Sequence, residues 1–248
     1  MLDELIPFLE GPRLAAGEHD SFFQPTGSDE VATLFEHCAR GLEQSLSFGV
    51  HGLPLIGTGD WNDGMNRVGE RGEGESVWLG WLLHATLTAF ASLADARHET
   101  DRAAAWRAQA AALESSLERE AWDGDWYLRG WFDDGTSLGS ATSEACRIDS
   151  IAQAWAVISR AGDSERAARA MAAVERELIR PQDGLALLFA PPFDKTRLDP
   201  GYIKGYPPGI RENGGQYTHA ALWSVIAFAG LGQGDNAAQL FSLINPIN

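Results

Sequence analysis

Cysteine is almost absent from this chain: its 248 residues include two, Cys38 and Cys146. Neither falls in a metal-binding or redox spacing, which excludes a disulfide framework and a cysteine metal site. Both lie in apolar stretches of helical character and read as core thiols of a reducing compartment. Cations are also scarce. Nineteen lysines and arginines against 35 acids leave a formal charge of −16, which argues against nucleic acid or an anionic membrane as partner. An anionic ligand would depend on a local cluster of cations and amide donors. No signal peptide opens the sequence, and no uncharged apolar run is expected to reach the ~18 residues of a membrane span. The expectation is a soluble, cytoplasmic protein without direct membrane contact. Nucleotide loops are missing too: Gly57-Thr58-Gly59 runs on to Asn62 where a third glycine belongs, and no Gly-Lys-Ser/Thr occurs. What is plentiful is core-forming material, with 44% hydrophobic residues and nine tryptophans. Such a chain can bury a sizeable core.

Two polar stretches interrupt that apolar material. The first, Gly57-Thr58-Gly59-Asp60-Trp61-Asn62-Asp63-Gly64-Met65-Asn66, gathers two carboxylates, two asparagines and a tryptophan among glycines. Glycines let backbone turn tightly and approach a ligand, so this reads as a loop. A tryptophan face beside fixed acids and amides suits a sugar ring, and one carboxyl could protonate a glycosidic oxygen. The same composition also suits a plain surface turn. Asp60, Asn62 and Gly64 have some calcium-loop character, but Gly64 lacks a ligand oxygen and Arg71 stands where a glutamate is needed. No metal site is expected. The second stretch, Tyr206-Pro207-Pro208-Gly209-Ile210-Arg211-Glu212-Asn213-Gly214-Gly215-Gln216-Tyr217-Thr218-His219, adds cations and further amides.

Between these loops the hydrophobic period predicts helices of two kinds. Residues 1–27 read as an irregular entering segment. Ser28-Asp29-Glu30 offers helix-start chemistry before Leu34, Cys38, Leu42 and Leu46 at helical spacing. Val77–Ala94, Ile148–Ile158 and Ala220–Leu231 are apolar on nearly every side and should be buried on every side. Asp101–Glu120, the run from Asp163 or Ser164 through Ala167, Met171, Val174 and Leu178, and Asp235–Ile244 are amphipathic. Residues 121–143 look like turns or a short hairpin. Residues 180–218 are long, irregular and proline-rich, the kind of stretch that is usually functional. Trp78, Trp155 and Trp223 fall near the starts of the three apolar helices. Buried and amphipathic helices in alternation predict an all-α fold of toroid type, with inner helices ringed by outer ones and a site built from loops at one rim. A plain helical bundle is the simpler alternative.

The loop Gly57–Asn66, the run Gly74-Glu75-Ser76-Val77-Trp78-Leu79-Gly80-Trp81 and the segment Gly205–His219 resemble glycoside hydrolase family 94, the inverting disaccharide phosphorylases formerly grouped as glycosyltransferase family 36. Cys146-Arg147-Ile148-Asp149-Ser150-Ile151-Ala152-Gln153 and Pro191-Pro192-Phe193-Asp194 are similar to the phosphorylase-like domain of the cyclic β-1,2-glucan synthases. The resemblance covers the chain from end to end. It implies that residues 1–248 form part of one (α/α)6-barrel catalytic domain, incomplete at both ends, within a larger polypeptide such as an inner-membrane synthase, or within a homodimer.

By the same resemblance Asp63 is the general acid, Trp61 contacts sugar, His219 binds phosphate, and Glu212 and Tyr217 belong to the sugar-site loop. Asp60, Asn62 and Gln216 take supporting places on the substrate side, and Arg211 on the phosphate side. The partners implied are a β-glucan oligosaccharide and inorganic phosphate, the latter as co-substrate with no cofactor. An inverting phosphorylase needs one acid and no base, because phosphate arrives as an anion. A hydrolase needs a second carboxylate about 6.5–9.5 Å from the acid, and Glu212 is the sequence candidate for it. His219 and Arg211 favour phosphate. A non-catalytic carbohydrate-binding segment is the third reading. Without the resemblance, His219 reads equally well as a helix-start histidine bonded to backbone.

Overall fold

The computed structural model describes residues 1–13 and 22–247, in two units, Met1–Ser47 and Phe48–Asn248. In the first unit β1 (Leu5–Glu10) pairs antiparallel with β2 (Thr26–Thr33), Leu5 facing Thr33 and Glu10 facing Thr26. The register slips between Pro7 and Leu9. Helix α1 (Leu34–Gln44) follows at once, capped by the Thr33 hydroxyl, which accepts from the Glu36 N–H at 3.2 Å. His37 reaches the Ile6 carbonyl at 2.9 Å and stacks on Phe8.

Two expectations fail here. The entering segment is not irregular throughout, since it contains β1 and the start of β2; its residues 14–21 lie outside the described residues. Ser28–Glu30 lies in a strand, and the helix starts at Leu34 instead. Both strands are largely solvent-facing, so no inward-outward alternation marked them in the sequence.

The second unit pairs α2 (Val77–Ala96) with α3 (Thr100–Glu120), α4 (Ser150–Ile158) with α5 (Ser164–Leu178), and α6 (Thr218–Gly230) with α7 (Gly234–Ile244). Helix α4 also packs on both α2 and α6, so these three form the inner row. The indoles of Trp78, Trp155 and Trp223 meet, with ring centroids 6.0, 5.9 and 5.4 Å apart pairwise. Residues of three separate helices therefore share one place, although Trp155 stands past the middle of α4 rather than near its start. Backbone hydrogen bonds through Leu188 join the start of α4 to the segment that leads into α6. Outer helices bury one stripe each, as Ala103, Trp106, Ala110, Leu113 and Leu117 do on α3. On α5 the buried stripe is Ala167, Met171, Val174 and Leu178, and Asp163 caps its Glu165 and Arg166 N–H groups.

Burial of the inner row is uneven. Helix α4, flanked on both sides, is almost wholly buried. By contrast α2 leaves Thr88, Ala89 and Ser92 in solvent, and α6 leaves Leu222 and Ile226 there, the latter 54% exposed. The expectation of burial all round thus holds only where the chain supplies neighbours on both sides. Helix α2 is also long and apolar enough to cross a membrane by length and composition, contrary to the sequence expectation, although Trp78, Trp81, Leu83, Leu87 and Ala91 pack inside the unit.

The fold is mostly helical but not purely so. Short strands brace the segments before the inner helices: β3 (Glu75–Ser76), β4 (Gly130–Trp131) and β5 (Ser137–Leu138) form one small sheet. β6 (Ile148–Asp149) pairs with β9 (Phe189–Ala190), and β7 (Ile179–Arg180) with β8 (Leu185–Ala186). β4 and β5 are the short hairpin expected within 121–143. Cys146 is buried, which raises its thiol pKa, and Cys38 is half-buried.

Candidate active site

Ser76 Oγ accepts from the Leu79 N–H and caps α2, and Asp149 accepts from the Ile151 N–H and caps α4. Helix α6 differs: no side chain caps it, and Thr218 and His219 stand exposed in its first turn. The N-terminus of a helix presents unpaired N–H groups and the positive end of its dipole.

Over these helix ends lie the two polar loops. In the first, Asn62 accepts from the Gly64 N–H at 3.2 Å and starts a single 3-10 turn, Asp63–Met65. That turn rests on a second one, Tyr202–Gly205. The approach is close: a β-carbon on Gly64 would sit 2.8 Å from Ile203 Cβ, and one on Gly201 would sit 2.1 Å from Asn66 Oδ1. Gly201 also has φ of +120°, which a side chain would resist. Asn66 Oδ1 accepts from the Tyr202 N–H, closing the contact.

Across 158 residues of sequence, Trp61 Nε1 donates to His219 Nδ1 at 3.1 Å. The Trp61 ring also meets Tyr217 edge-on at 5.2 Å and Trp223 at 5.3 Å, and His219 lies 4.4 Å from Trp223. An imidazole nitrogen that accepts a hydrogen bond carries no proton, so in neutral His219 the proton sits on Nε2. This leaves Nε2–H as a donor.

Asp63 is exposed. Its charge acts on the phenol of Tyr202, whose pKa is raised by partial burial first and then by Asp63, Tyr206 and Glu212. Arg211 lies over the Tyr206 ring at 4.7 Å and its Nε is 3.5 Å from Glu212 Oε2. Glu212 Oε2 is buried without a hydrogen bond. Arg211 itself has φ of +50°, a conformation that costs a non-glycine residue of order 1–3 kcal/mol.

The remaining sequence candidates face inward. The Asp60 side chain is fully buried: Arg129 Nη2 donates to its Oδ1 at 2.6 Å, Ser76 Oγ to its Oδ2 at 2.7 Å, and the Asn62 N–H to Oδ1 at 3.0 Å. Burial alone would push the Asp60 carboxyl up, but Arg129 and these donors more than offset it and hold it below the usual carboxylate range. Asn62 is buried as a cap, and Gln216 Oε1 accepts from the Ala186 N–H at 2.8 Å. The structure thus brings Trp61, Tyr217 and His219 into one group and sets Arg211 beside Glu212 and Tyr206, while Asp63 stands exposed on the turn that rests on Tyr202–Gly205. Asp60, Asn62 and Gln216 hold the loops from beneath. Sequence reasoning missed Arg129, Tyr202 and Tyr206. The two tyrosines lie in the proline-rich stretch already marked as functional, while no signal marked Arg129.

This arrangement, an exposed carboxylic acid beside an aromatic and amide-lined loop and a helix-start histidine, can be set against known proteins. Residues 3–248 match the model of the glycosyl hydrolase 94 superfamily catalytic domain. The chain belongs to this family. Its family-94 relatives include the cyclic beta-(1,2)-glucan synthase NdvB of Rhizobium meliloti (strain 1021), 54% identical over the whole chain. The solabiose phosphorylase of Paenibacillus borealis is 32% identical over 96% of the chain, and the N,N'-diacetylchitobiose phosphorylase of Vibrio furnissii 32% over all of it. The family-94 chain spans 9% of the length of the synthase, and 33% and 28% of the two phosphorylases.

Proposed function

We propose that this chain carries the general acid and the phosphate-facing wall of an inverting glycoside phosphorylase site, set on part of an (α/α)6 barrel. The enzyme it serves cleaves β-linked glucan, β-1,2-linked by the similarity to the synthase, using inorganic phosphate. The observation that carries this reading is the Trp61–His219 hydrogen bond. It joins the acid loop to the start of α6 and turns the Nε2–H donor of His219 outward, beside helix N–H groups that no side chain caps. A donor imidazole at a helix N-terminus suits an anion. In a protein of charge −16, such a local site is what phosphate would require.

In this mechanism Asp63 gives its proton to the glycosidic oxygen as the bond from that oxygen to the anomeric carbon breaks. A phosphate oxygen attacks the same carbon from the opposite face, so the configuration inverts and α-glucose 1-phosphate leaves. No base is needed because phosphate is already anionic. Synthesis runs the steps backwards, with the Asp63 carboxylate taking the proton of the acceptor hydroxyl. Trp61 and Tyr217 supply apolar faces for a sugar ring, and phosphate is a co-substrate, with no cofactor.

One observation favours a second reading. The unbonded, buried Oε2 of Glu212 could serve as the base of an inverting hydrolase with Asp63 as acid. Incubating the full-length protein with β-1,2-glucan, with and without phosphate, separates the two. Phosphorolysis gives α-glucose 1-phosphate only when phosphate is present, whereas free sugar at equal rates in both conditions means hydrolysis.

A further inference from the structure

Arg129 is 1% exposed, yet four elements meet at its guanidinium and backbone. Nη2 donates to Asp60 and Nη1 donates to Ser76 Oγ at 3.2 Å; Nε lies 3.3 Å from Asp149 Oδ2 without hydrogen-bond alignment. The main chain is fixed as well: the Arg129 N–H donates to the Leu138 carbonyl, and its own carbonyl accepts from Val77. One side chain therefore ties together the caps of α2 and α4 and the root of the acid loop. Asp60 stands three positions before Asp63 and holds the N–H of Asn62, the residue that starts the acid's 3-10 turn.

Stability alone is a weak reason for such a cluster. Buried ion pairs and triads can often be replaced by well-packed hydrophobic residues of similar volume with no loss of stability, because desolvation offsets the attraction. What a buried guanidinium supplies is direction, through a rigid fork of charge-assisted bonds. Above this root the Asp63 turn has local ties, from Asn62 to Gly64 and Met65, and its contact with Ile203. The charged cluster sets where that turn stands relative to the inner helices.

We infer that Arg129 is a positioning residue for the general acid: its guanidinium, shared by Asp60, Ser76 and Asp149, fixes the acid loop so that Asp63 meets the glycosidic oxygen. The inference rests on the acid role proposed for Asp63. The test uses the full-length protein with three changes together, Asp60→Asn, Arg129→Met and Asp149→Asn, which remove every charge of the cluster and keep an amide oxygen for each loop and cap contact. Phosphorolysis is measured on β-1,2-glucan, whose leaving group needs a proton, and on β-glucosyl fluoride, whose leaving group needs little help.

The expected result is a folded variant with a single cooperative melt and an apparent KM for phosphate within about threefold. The kcat on glucan falls at least about tenfold, a part of the 10²–10⁴-fold that general acids typically contribute, and the fluoride rate barely changes. A folded triple variant that keeps its glucan kcat, or loses the same factor on both substrates, overturns the inference. If the triple variant does not fold, Arg129→Lys decides by the same ratio of rates, because lysine keeps the charge and loses the fork. Asp63→Asn is the control. Full glucan activity in that variant would sink the acid role itself, whereas an inert Asp63→Asn beside an unaffected cluster variant would sink only the role of Arg129.

Discussion

The two loops that build the site are anchored in opposite ways. Beneath the acid loop lies a charged cluster, with Asp60 and Arg129 both out of solvent. Beneath the loop that leads to His219 lie neutral amides, Gln216 and Asn213. Asn213 is fully buried; its Oδ1 accepts from the Phe193 N–H, and its Nδ2 donates to the carbonyls of Phe193 and Tyr206, each at 2.8 Å. The difference fits the charge each loop has to handle. Glu212 already lies against Arg211 in that loop, and a neutral amide adds no further negative charge beneath a loop proposed to receive an anion. Under the acid loop no anion has to be attracted, and charge-assisted bonds give the firmer hold. The anchors should therefore fail differently when broken.

Breaking the charged anchor from one side gives the largest expected effect. Asp60→Asn leaves Arg129 facing an amide where its shortest bond was, and removing one partner of a buried pair costs roughly 3–5 kcal/mol. Asp149→Asn should do the reverse. Burial pushes the Asp149 carboxyl up to about 6 despite the opposing charge of Arg129 and the Ile151 N–H. Between the ordinary carboxylate value and that pKa, the folded state keeps a proton that the unfolded chain has released. This residue therefore favours folding most in acid, and its contribution is lost as pH rises towards 6. Asparagine preserves the cap on α4 without that loss. Melting both variants across pH 4 to 8 checks the contrast: Asp60→Asn falls well below the parent at neutral pH. Asp149→Asn gains on the parent as pH rises to 6 and holds a constant margin beyond it.

Much of this comparison was legible in the sequence, but only in its surface half. The glycine-rich stretch, the run to His219 and the spacing of Trp78, Trp155 and Trp223 carry composition and period, and these place loops and helices. They led to Trp61, Tyr217 and His219, which the structure brings into contact. Asp60 looked equivalent to Asp63, because two carboxylates three residues apart on a tight turn have no periodicity to say which faces in. Arg129 was invisible for a related reason. Its role depends on Ser76, Asp60 and Asp149, which come from three separate segments, and Leu128-Arg129-Gly130 has no local feature to mark it. β1 and β2 were missed because a solvent-facing ribbon lacks the alternation that reveals a strand.

The neutral anchor should give a smaller effect of another kind. Asn213→Ala leaves the Phe193 N–H and two carbonyls without their partner, at a cost of about 1–3 kcal/mol for a buried group left unsatisfied. The loop carrying Arg211 and His219 then loosens while Asp63 stays in place. A lower melting temperature with a raised apparent KM for phosphate and little change in kcat is the expected pattern. A fall in kcat with phosphate affinity intact would mean that Asn213 serves the acid side instead.

The smallest effect belongs to Trp61, whose side chain joins the loops. Trp61→Phe keeps an aromatic ring against Tyr217 and Trp223 but removes the Nε1–H that donates to His219. With Nδ1 released, the His219 proton can reside on either nitrogen, and the imidazole presents its Nε2–H only part of the time. A neutral hydrogen bond contributes about 0.5–1.5 kcal/mol, so the apparent KM for phosphate should rise by roughly 2- to 12-fold. The fold and the kcat at saturating phosphate should be nearly unchanged, because Asp63 and its anchor are untouched. Phosphate titration of parent and variant at saturating glucan measures this directly. If the glucan KM rises instead and the phosphate KM stays fixed, the indole nitrogen belongs to the sugar subsite and does not orient His219 for phosphate.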